Sequence, residues 1–146
     1  MHGRSFSGRE RNCCFLNTDG KWFATASSLS GFDFPDDGRC IVTTDWDRDG
    51  DVDVWTSNRS APRIRFLRNN ANRQNAFLQF KLIGDGITTN RDAIGARLEV
   101  SLHDGRRILK TLRAGEGFLS QSSKWLHVGL GTDTQIDQVR IVWPNS

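Results

Sequence analysis

Five aspartates occupy alternate positions within nine residues: Asp45, Asp47, Asp49, Asp51 and Asp53. Like charges a few ångströms apart repel one another, and salt screens that repulsion only in part. A strand or turn of ordinary composition does not tolerate such a concentration of negative charge. A bound hard cation relieves it most simply, and Ca²⁺ suits a compact, flexible cage of oxygen ligands best. The sequence therefore predicts a calcium site at these five residues.

The surroundings of the aspartates indicate which kind of calcium loop this is. An EF-hand requires a bidentate Glu at the twelfth position of its loop, which is Thr56 here. Apolar and β-branched residues flank the loop, so it is predicted to join two strands, at about 39–45 and 52–57. Gly50 permits the sharp turn between them. The alternative is an acidic turn that is solvated and holds no ion.

The stretch DWDRDGDVDVW resembles the calcium loop of FG-GAP repeats, also called VCBS repeats, which build the blades of integrin-type β-propellers. The resemblance implies that the loop lies in the hairpin between two strands of a blade. It also implies side-chain ligands from Asp45, Asp47, Asp49 and Asp53, with Asp51 binding through its backbone oxygen.

The rest of the first half also reads as short strands. A hairpin is predicted at about 12–16 and 21–25 with an Asp-Gly turn at 17–20, and a further strand contains Ile64 and Phe66. Together with the strands around the acidic loop, this amounts to about one propeller blade. A single blade exposes two faces, so it is expected to pack on the rest of the chain, on another copy as a homo-oligomer, or on further blades.

From the Asn-rich stretch at 69–72 onward, apolar and polar residues alternate more regularly. Leu98, Val100 and Leu102 fall on one face of a strand, and comparable segments lie at 78–82, 108–112, 126–130 and 139–143. About six short antiparallel strands are predicted, with no helical periodicity. We therefore predict an all-β chain: a blade-like antiparallel sheet with its calcium loop at 1–70, and an antiparallel β-sandwich or barrel at 71–146.

Several motifs of the second half follow the order seen in the ASPIC/UnbV domain: NRDAIGA at 90–96, RAGEGFLSQ at 113–121, LHVGLG at 126–131 and VWP at 142–144. Residues 72–146 thus resemble that domain, which typically follows FG-GAP repeats at the C-terminal end of secreted proteins similar to cartilage acidic protein. The resemblance implies an extracellular or periplasmic location. Residues 1–6 lack the apolar core of a signal peptide. We expect either that a leader was removed or that the chain is a piece of a longer protein.

Neither nucleic acid nor a membrane is the expected partner. One group of basic residues contains no acid: Arg59, Arg63, Arg65, Arg68 and Arg73. No recognition helix or base-stacking motif accompanies this group, so solvated strand faces and counter-charge to the acidic loop are favoured over a nucleic-acid patch. No apolar run approaches the length of a membrane span. The expected partner is an unidentified protein or glycan.

No catalytic constellation is recognisable, and we do not expect an enzyme. Ser120 to Ser123 lack the Gly-x-Ser-x-Gly context of a nucleophile elbow. His103 and His127 are expected to be exposed residues at strand edges rather than a base or a ligand. A calcium-stabilised binding or adhesion module with a structural metal is the function that the sequence favours.

The cysteines and tryptophans leave alternatives open. Either Cys13 or Cys14 could bridge to Cys40 in an oxidising compartment, but small buried hydrophobic residues are favoured. Five Trp residues, turn-borne Asp and a β-sandwich are also ingredients of a carbohydrate-binding module, which is the alternative function. The favoured interpretation places Trp22, Trp55 and Trp143 in the core and Trp46 beside the metal loop.

Overall fold

The computed structural model describes residues 10–71, 75–132 and 135–145. The described residues form antiparallel strands and no helix, which confirms the all-β prediction. The strands are β1 (Phe15–Thr18), β2 (Trp22–Thr25), β3 (Gly38–Thr44), β4 (Asp53–Asn58), β5 (Ile64–Leu67), β6 (Ala76–Lys81), β7 (Arg97–Leu102), β8 (Arg107–Thr111), β9 (Trp125–Gly131) and β10 (Ile136–Val142). The predictions made for residues 1–6, Asn72 and Arg73 lie outside the described residues.

The first half contains a hairpin and a three-stranded sheet. β1 pairs with β2 through the predicted Asp-Gly turn, where Asp19 and Gly20 have positive φ angles of 54° and 71°. The sheet has the order β3-β4-β5, and the acidic loop joins β3 to β4 as predicted. The hairpin forms a separate two-stranded sheet, so the described strands of this half do not join into one four-stranded sheet.

The second half is a sandwich of two sheets, β6-β9 and β10-β7-β8. It has five strands in the described residues rather than about six. The sequence predicted either a sandwich or a barrel. The two sheets do not join into a closed barrel, so the structure shows the sandwich. The alternation seen in the sequence places one face of each strand inward. The core consists of Leu82, Ala93, Ala96, Leu98, Val100, Leu102, Leu112, Leu126, Val128 and Leu130.

The hairpin of the first half leaves its large apolar side chains in solvent. Phe15, Leu16, Trp22 and Phe23 are 58% to 68% exposed. The prediction that Trp22 is a core residue is therefore wrong, because no other described element covers that side of the hairpin. Trp55 and Trp143 are half-buried, and Trp143 packs against the core of the sandwich.

The cysteines are not buried. All three are free thiols; Cys13 is exposed, and Cys14 and Cys40 are half-buried. The Cys40 thiol lies 2.9 Å from the Ser57 hydroxyl on the neighbouring strand. The prediction of small buried hydrophobic residues is therefore wrong, and neither of the alternative bridges to Cys40 is formed.

The described residues contain no helix that has the length and the apolar character needed to span a membrane.

Candidate metal centre and adjoining cleft

The loop between β3 and β4 is wound around its own carboxylates. The Asp45 carboxylate accepts the backbone N–H groups of Asp49, at 3.1 Å, and Gly50, at 3.0 Å. Asp49 in turn accepts the N–H of Asp51 at 3.0 Å. Arg48 and Gly50 take positive φ angles of 61° and 95°, which let the chain reverse direction tightly. Short-range hydrogen bonds of this kind are typical of Asp-rich turns.

Three of the five predicted ligands come together. Carboxylate oxygens of Asp45, Asp47 and Asp49 lie within 4.8 Å of one another. Ca²⁺ binds oxygen at 2.3–2.6 Å, so two ligands of one ion lie at most about 5 Å apart. Asp45 and Asp49 are half-buried and Asp47 is exposed, so the cluster is open to solvent on one side. Its dimensions and its all-oxygen donors fit a hard divalent cation.

Asp53 lies outside this cluster and holds two backbone segments together. Its side chain is fully buried; Oδ2 accepts the N–H of Trp46 at 2.9 Å, and Oδ1 accepts the N–H of Asn69 at 2.8 Å. These bonds connect the start of β4 to the acidic loop and to the segment after β5. The structure therefore shows a hydrogen-bonding role for Asp53, and its predicted role as a side-chain ligand stays a prediction.

Asp51 has an unsatisfied oxygen. Its Oδ2 atom is buried and accepts no hydrogen bond from the described residues. A buried carboxylate oxygen without a partner is costly. The charge at this end of the loop is therefore not fully compensated by the protein, and Asp51 stays a predicted ligand.

One arginine already neutralises part of the cluster. The Arg68 guanidinium contacts Asp47 through Nη2, and the same atom lies 3.8 Å from Asp49. The sequence predicted that the arginines between positions 59 and 73 supply counter-charge to the acidic loop. This prediction is confirmed for Arg68. One guanidinium facing several carboxylates leaves the loop negatively charged.

Arg65, of the same basic group, serves a different carboxylate. It forms a two-point ion pair with Asp36, and its guanidinium lies 4.0 Å from the centre of the Phe34 ring. The Arg65 hydrogen bond, together with that from Asn58, holds the pKa of Asp36 below its usual value. The Asp36 side chain is only 7% exposed, so this ion pair is largely shielded from solvent on the side of the carboxylate.

The acidic loop rests on strand β6 of the sandwich. Gln79 donates a hydrogen bond from Nε2 to Asp45 at 2.6 Å. Gly50 packs so closely against Phe77 that a Cβ atom there would lie 2.2 Å from the ring. The Phe77 ring stacks on His127 of β9, with centroids 5.5 Å apart and planes 11° apart. These contacts were not predicted from the sequence, where Gln79 appears only as a polar residue between Leu78 and Phe80.

The two histidines differ from each other. His103 lies in an exposed turn beside Asp137, as predicted. His127 is half-buried, and its Nδ1 atom has no hydrogen-bond partner in the described residues. Burial lowers the pKa of His127, and Lys110 adds to that effect while Asp45 opposes it. The prediction of an exposed residue is wrong for His127 because the Phe77 ring stacks on it.

A cleft of about 550 Å³ lies between the acidic loop and the sandwich. Its walls carry Trp46 from the loop and Trp125 from β9, together with Arg48, Lys110 and Arg113. Beside it, the backbone of Thr43 at the end of β3 is joined to the stretch before β9: the Ser122 hydroxyl and the Ser123 N–H bond to it at 3.2 Å and 3.1 Å. Both halves of the chain therefore form the cleft.

Comparison with known proteins supports the interpretation of the second half. Residues 86–146 match the family model described as ASPIC and UnbV. The match covers less than half of the chain and includes all four motifs on which the resemblance rests, so the resemblance is confirmed for these residues. No curated protein matches the chain.

Proposed function

We propose that this chain is a non-enzymatic, calcium-binding all-β module of an extracytoplasmic protein, in which the metal ion stabilises the fold. The observation that carries the proposal is the convergence of Asp45, Asp47 and Asp49 within 4.8 Å. The buried, unsatisfied oxygen of Asp51 supports it independently, because that oxygen lacks a positive partner.

The proposed ion has a structural role because of where the loop lies. The loop joins β3 to β4 and contacts β6 of the sandwich through Gln79. An ion that fixes the loop therefore orders both the sheet of the first half and its junction with the second. Extracellular modules commonly bind Ca²⁺ with dissociation constants of about 10⁻⁴–10⁻³ M. At ten times that constant, the ion adds about 1.4 kcal/mol to the free energy of unfolding.

The wider assignment rests on resemblance. The loop sequence is similar to that of FG-GAP repeats, and residues 86–146 match ASPIC and UnbV. We propose that residues 1–70 are an FG-GAP-like unit preceding an ASPIC/UnbV-like domain at 71–146, outside the cytoplasm, as in secreted proteins similar to cartilage acidic protein. The exposed apolar hairpin supports packing on a protein partner or on a second copy. Size-exclusion chromatography with light scattering distinguishes a dimer from a monomer, and so tests whether a second copy packs on the hairpin.

The test of the calcium site measures thermal unfolding with Ca²⁺ and with EDTA. We expect EDTA to lower the melting temperature, because the acidic loop then loses its counter-ion. Asp47→Ala removes one carboxylate of the cluster and should abolish the difference between the two conditions. Asp92→Asn is the matched control: it removes one exposed carboxylate elsewhere, whose ion pair with Lys124 contributes little to stability.

Terbium luminescence gives a second readout. Tb³⁺ replaces Ca²⁺ at oxygen sites, and Trp46 within the loop is placed to sensitise its emission. We expect emission that Ca²⁺ quenches by competition and that Asp47→Ala removes. A melting temperature that does not respond to EDTA, combined with no terbium signal, would overturn the proposal.

A second candidate is a carbohydrate-binding module, and the cleft favours it. Trp46 and Trp125 are 64% and 45% exposed, and both line the same cavity. Exposed aromatic rings in a polar cleft are typical of sites that orient a small polar ligand. Binding to a glycan array that is lost in Trp125→Ala would support this function.

A further inference from the structure

The cleft between the acidic loop and the sandwich contains an excess of positive charge that the protein does not use. Arg48, Lys110 and Arg113 line it, and none of the three forms an ion pair with any residue of 10–71, 75–132 or 135–145. Arginine side chains elsewhere in the described structure are commonly paired, as Arg65 is with Asp36. The cleft therefore presents three cations to whatever enters it.

The same cleft presents acceptors beside these cations. Asp45 and Glu116 are its two carboxylates. Asp45 already receives hydrogen bonds from the backbone of the loop and from Gln79, whereas Glu116 forms no ion pair in the part of the chain that the structure describes. A free carboxylate among unpaired cations suits a ligand that carries both hydroxyl donors and a negative group.

Two aromatic rings complete the lining. Trp46 packs one side against Trp55, at 5.4 Å in a T-shaped arrangement, and against Phe66, at 6.2 Å. These contacts hold the ring in place, while most of its surface stays exposed and the ring lines the cleft. Trp125 is oriented by Lys81, whose ammonium lies 5.8 Å from the ring centre. Rigid, partly exposed rings suit stacking against the apolar face of a sugar.

We propose that this cleft binds an acidic saccharide: a short sugar chain whose carboxylate or sulfate group is held by Arg48, Lys110 and Arg113. The sugar rings stack on Trp46 and Trp125, and Glu116 accepts hydrogen bonds from ring hydroxyls. The inference rests on the second candidate function, carbohydrate binding, and specifies its ligand class. The cleft volume of about 550 Å³ falls in the usual range of small-ligand sites, about 300–1,000 Å³.

The charges of the cleft distinguish this ligand from nucleic acid. A nucleic-acid backbone offers anionic groups without hydroxyl donors beside each of them, and Glu116 would repel these groups. An acidic saccharide carries hydroxyl donors on the same sugar rings as its negative groups. The cations of the cleft can then pair with the negative groups of the ligand, and the Glu116 carboxylate can accept hydrogen bonds from its hydroxyls. Planar guanidinium groups also match carboxylate and sulfate geometry well.

The experiment measures binding of defined tetrasaccharides to the full chain by calorimetry, with Ca²⁺ present throughout. The probes are an oligogalacturonate, a heparin-derived sulfated tetrasaccharide and a neutral cello-oligosaccharide of the same length. We expect at least one acidic probe to bind at least tenfold more tightly than the neutral one. The two acidic probes show whether carboxylate or sulfate is preferred.

Three variants test the residues. Lys110→Gln combined with Arg113→Gln should weaken binding of the acidic probe at least tenfold, with little change in melting temperature because both side chains are exposed. Trp125→Ala should weaken it as well. The matched control is Arg107→Gln, which removes one exposed positive charge from β8 outside the cleft and should leave binding unchanged.

Each contrary outcome has a definite meaning. Equal affinity for neutral and acidic probes would overturn the acidic inference while leaving carbohydrate binding intact. No binding of any saccharide would overturn both. Binding that Arg107→Gln weakens as much as the double variant does, and that Trp125→Ala leaves unchanged, would show unspecific attraction of anions and would also overturn the inference.

Discussion

Residues 10–71 and residues 75–145 contain five described strands each, but they bury different kinds of side chain. The second part encloses ten buried apolar residues between its two sheets. In the first part, Ala26 is the one buried apolar residue among those described, whereas Asp53, Thr56 and Asn58 are buried polar residues. The second part also buries Thr89 and Glu99, but apolar residues make up most of its interior. Apolar burial therefore contributes most to the sandwich, while the first part depends more on hydrogen bonds and charge.

The difference is the reason why we propose a metal ion in one part and not in the other. Apolar burial stabilises a fold without any requirement for charge balance. A buried carboxylate must also be satisfied. In the second part Glu99 has Arg97, Arg107 and Arg140 near it. The carboxylates of the acidic loop are satisfied only in part, by Arg68 and by backbone N–H groups. The proposed calcium ion supplies the remaining positive charge at the loop.

Truncation of a core residue should cause the largest effect. Leu98 is fully buried between the sheets, and Leu98→Ala should lower the free energy of unfolding by about 2–5 kcal/mol. Leu29→Ala in the first part should change it by about 0.5 kcal/mol or less, since that side chain is 90% exposed. Urea unfolding measures both. Similar losses for the two variants would contradict the contrast between the halves.

The second effect concerns a buried carboxylate. Asp53→Asn leaves one of two buried N–H donors without a good acceptor, at a cost of roughly 1–3 kcal/mol. If Asp53 acts only through these hydrogen bonds, Asp53→Asn should lower the free energy of unfolding by the same amount in EDTA as in Ca²⁺. A loss confined to Ca²⁺ would instead identify Asp53 as a ligand of the ion. Asp137→Asn, an exposed carboxylate of the sandwich, is the control.

The junction of the two parts can be tested with a pair of glycines. Gly50 and Gly20 both have positive φ angles, so Ala strains the backbone at either position. At Gly50 the added Cβ also collides with Phe77, whereas at Gly20 it meets open space. We expect Gly50→Ala to cost about 1–3 kcal/mol more than Gly20→Ala, measured by urea unfolding. Equal costs would mean that the loop does not pack on β6 in solution.

The smallest expected effect is a pH dependence within the second part. The Thr88 hydroxyl and the N–H groups of Thr89 and Ile87 bond to Asp85 and hold its pKa well below the ordinary 3.8. A lowered folded-state pKa stabilises the fold above the unfolded-state pKa, and this contribution is lost as pH falls through the folded value. Asp85→Asn should therefore be less stable than the wild type at pH 7, and the difference should shrink below about pH 4.

Urea unfolding at pH 7 and pH 3 measures this change, with Asp137→Asn as an exposed control. A difference between Asp85→Asn and the wild type that is the same at both pH values would contradict the role given to the Asp85 charge.

Much of the fold was predictable because its signal is local. Alternation at Leu98, Val100 and Leu102 and the Asp-Gly turn at 17–20 depend on neighbours within a few residues, and the structure confirms both. The clustering of Asp45, Asp47 and Asp49 was equally local, since a tight turn at Gly50 brings alternate residues together.

Several features that the sequence did not predict depend on which parts of the chain meet in the fold. The pairing of Asp36 with Arg65, 29 positions later, has no local signal in the sequence. His127 looked exposed, but Phe77 stacks on it. Trp22 looked like a core residue, but no described element covers it. Residue type alone does not reveal which surfaces other elements cover.

The sequence by itself determined that the chain is built of strands, that the second part buries an alternating apolar face, and that an acidic loop joins β3 to β4. Each of these follows from spacing along the backbone, where neighbouring side chains have fixed directions. Only the tertiary structure decided that Asp53 binds backbone N–H groups, that Gly50 meets Phe77, and that a cleft with three unpaired cations lies beside the loop. These features arise when sheets from both parts pack together, and packing depends on the shape of surfaces that are far apart in the chain.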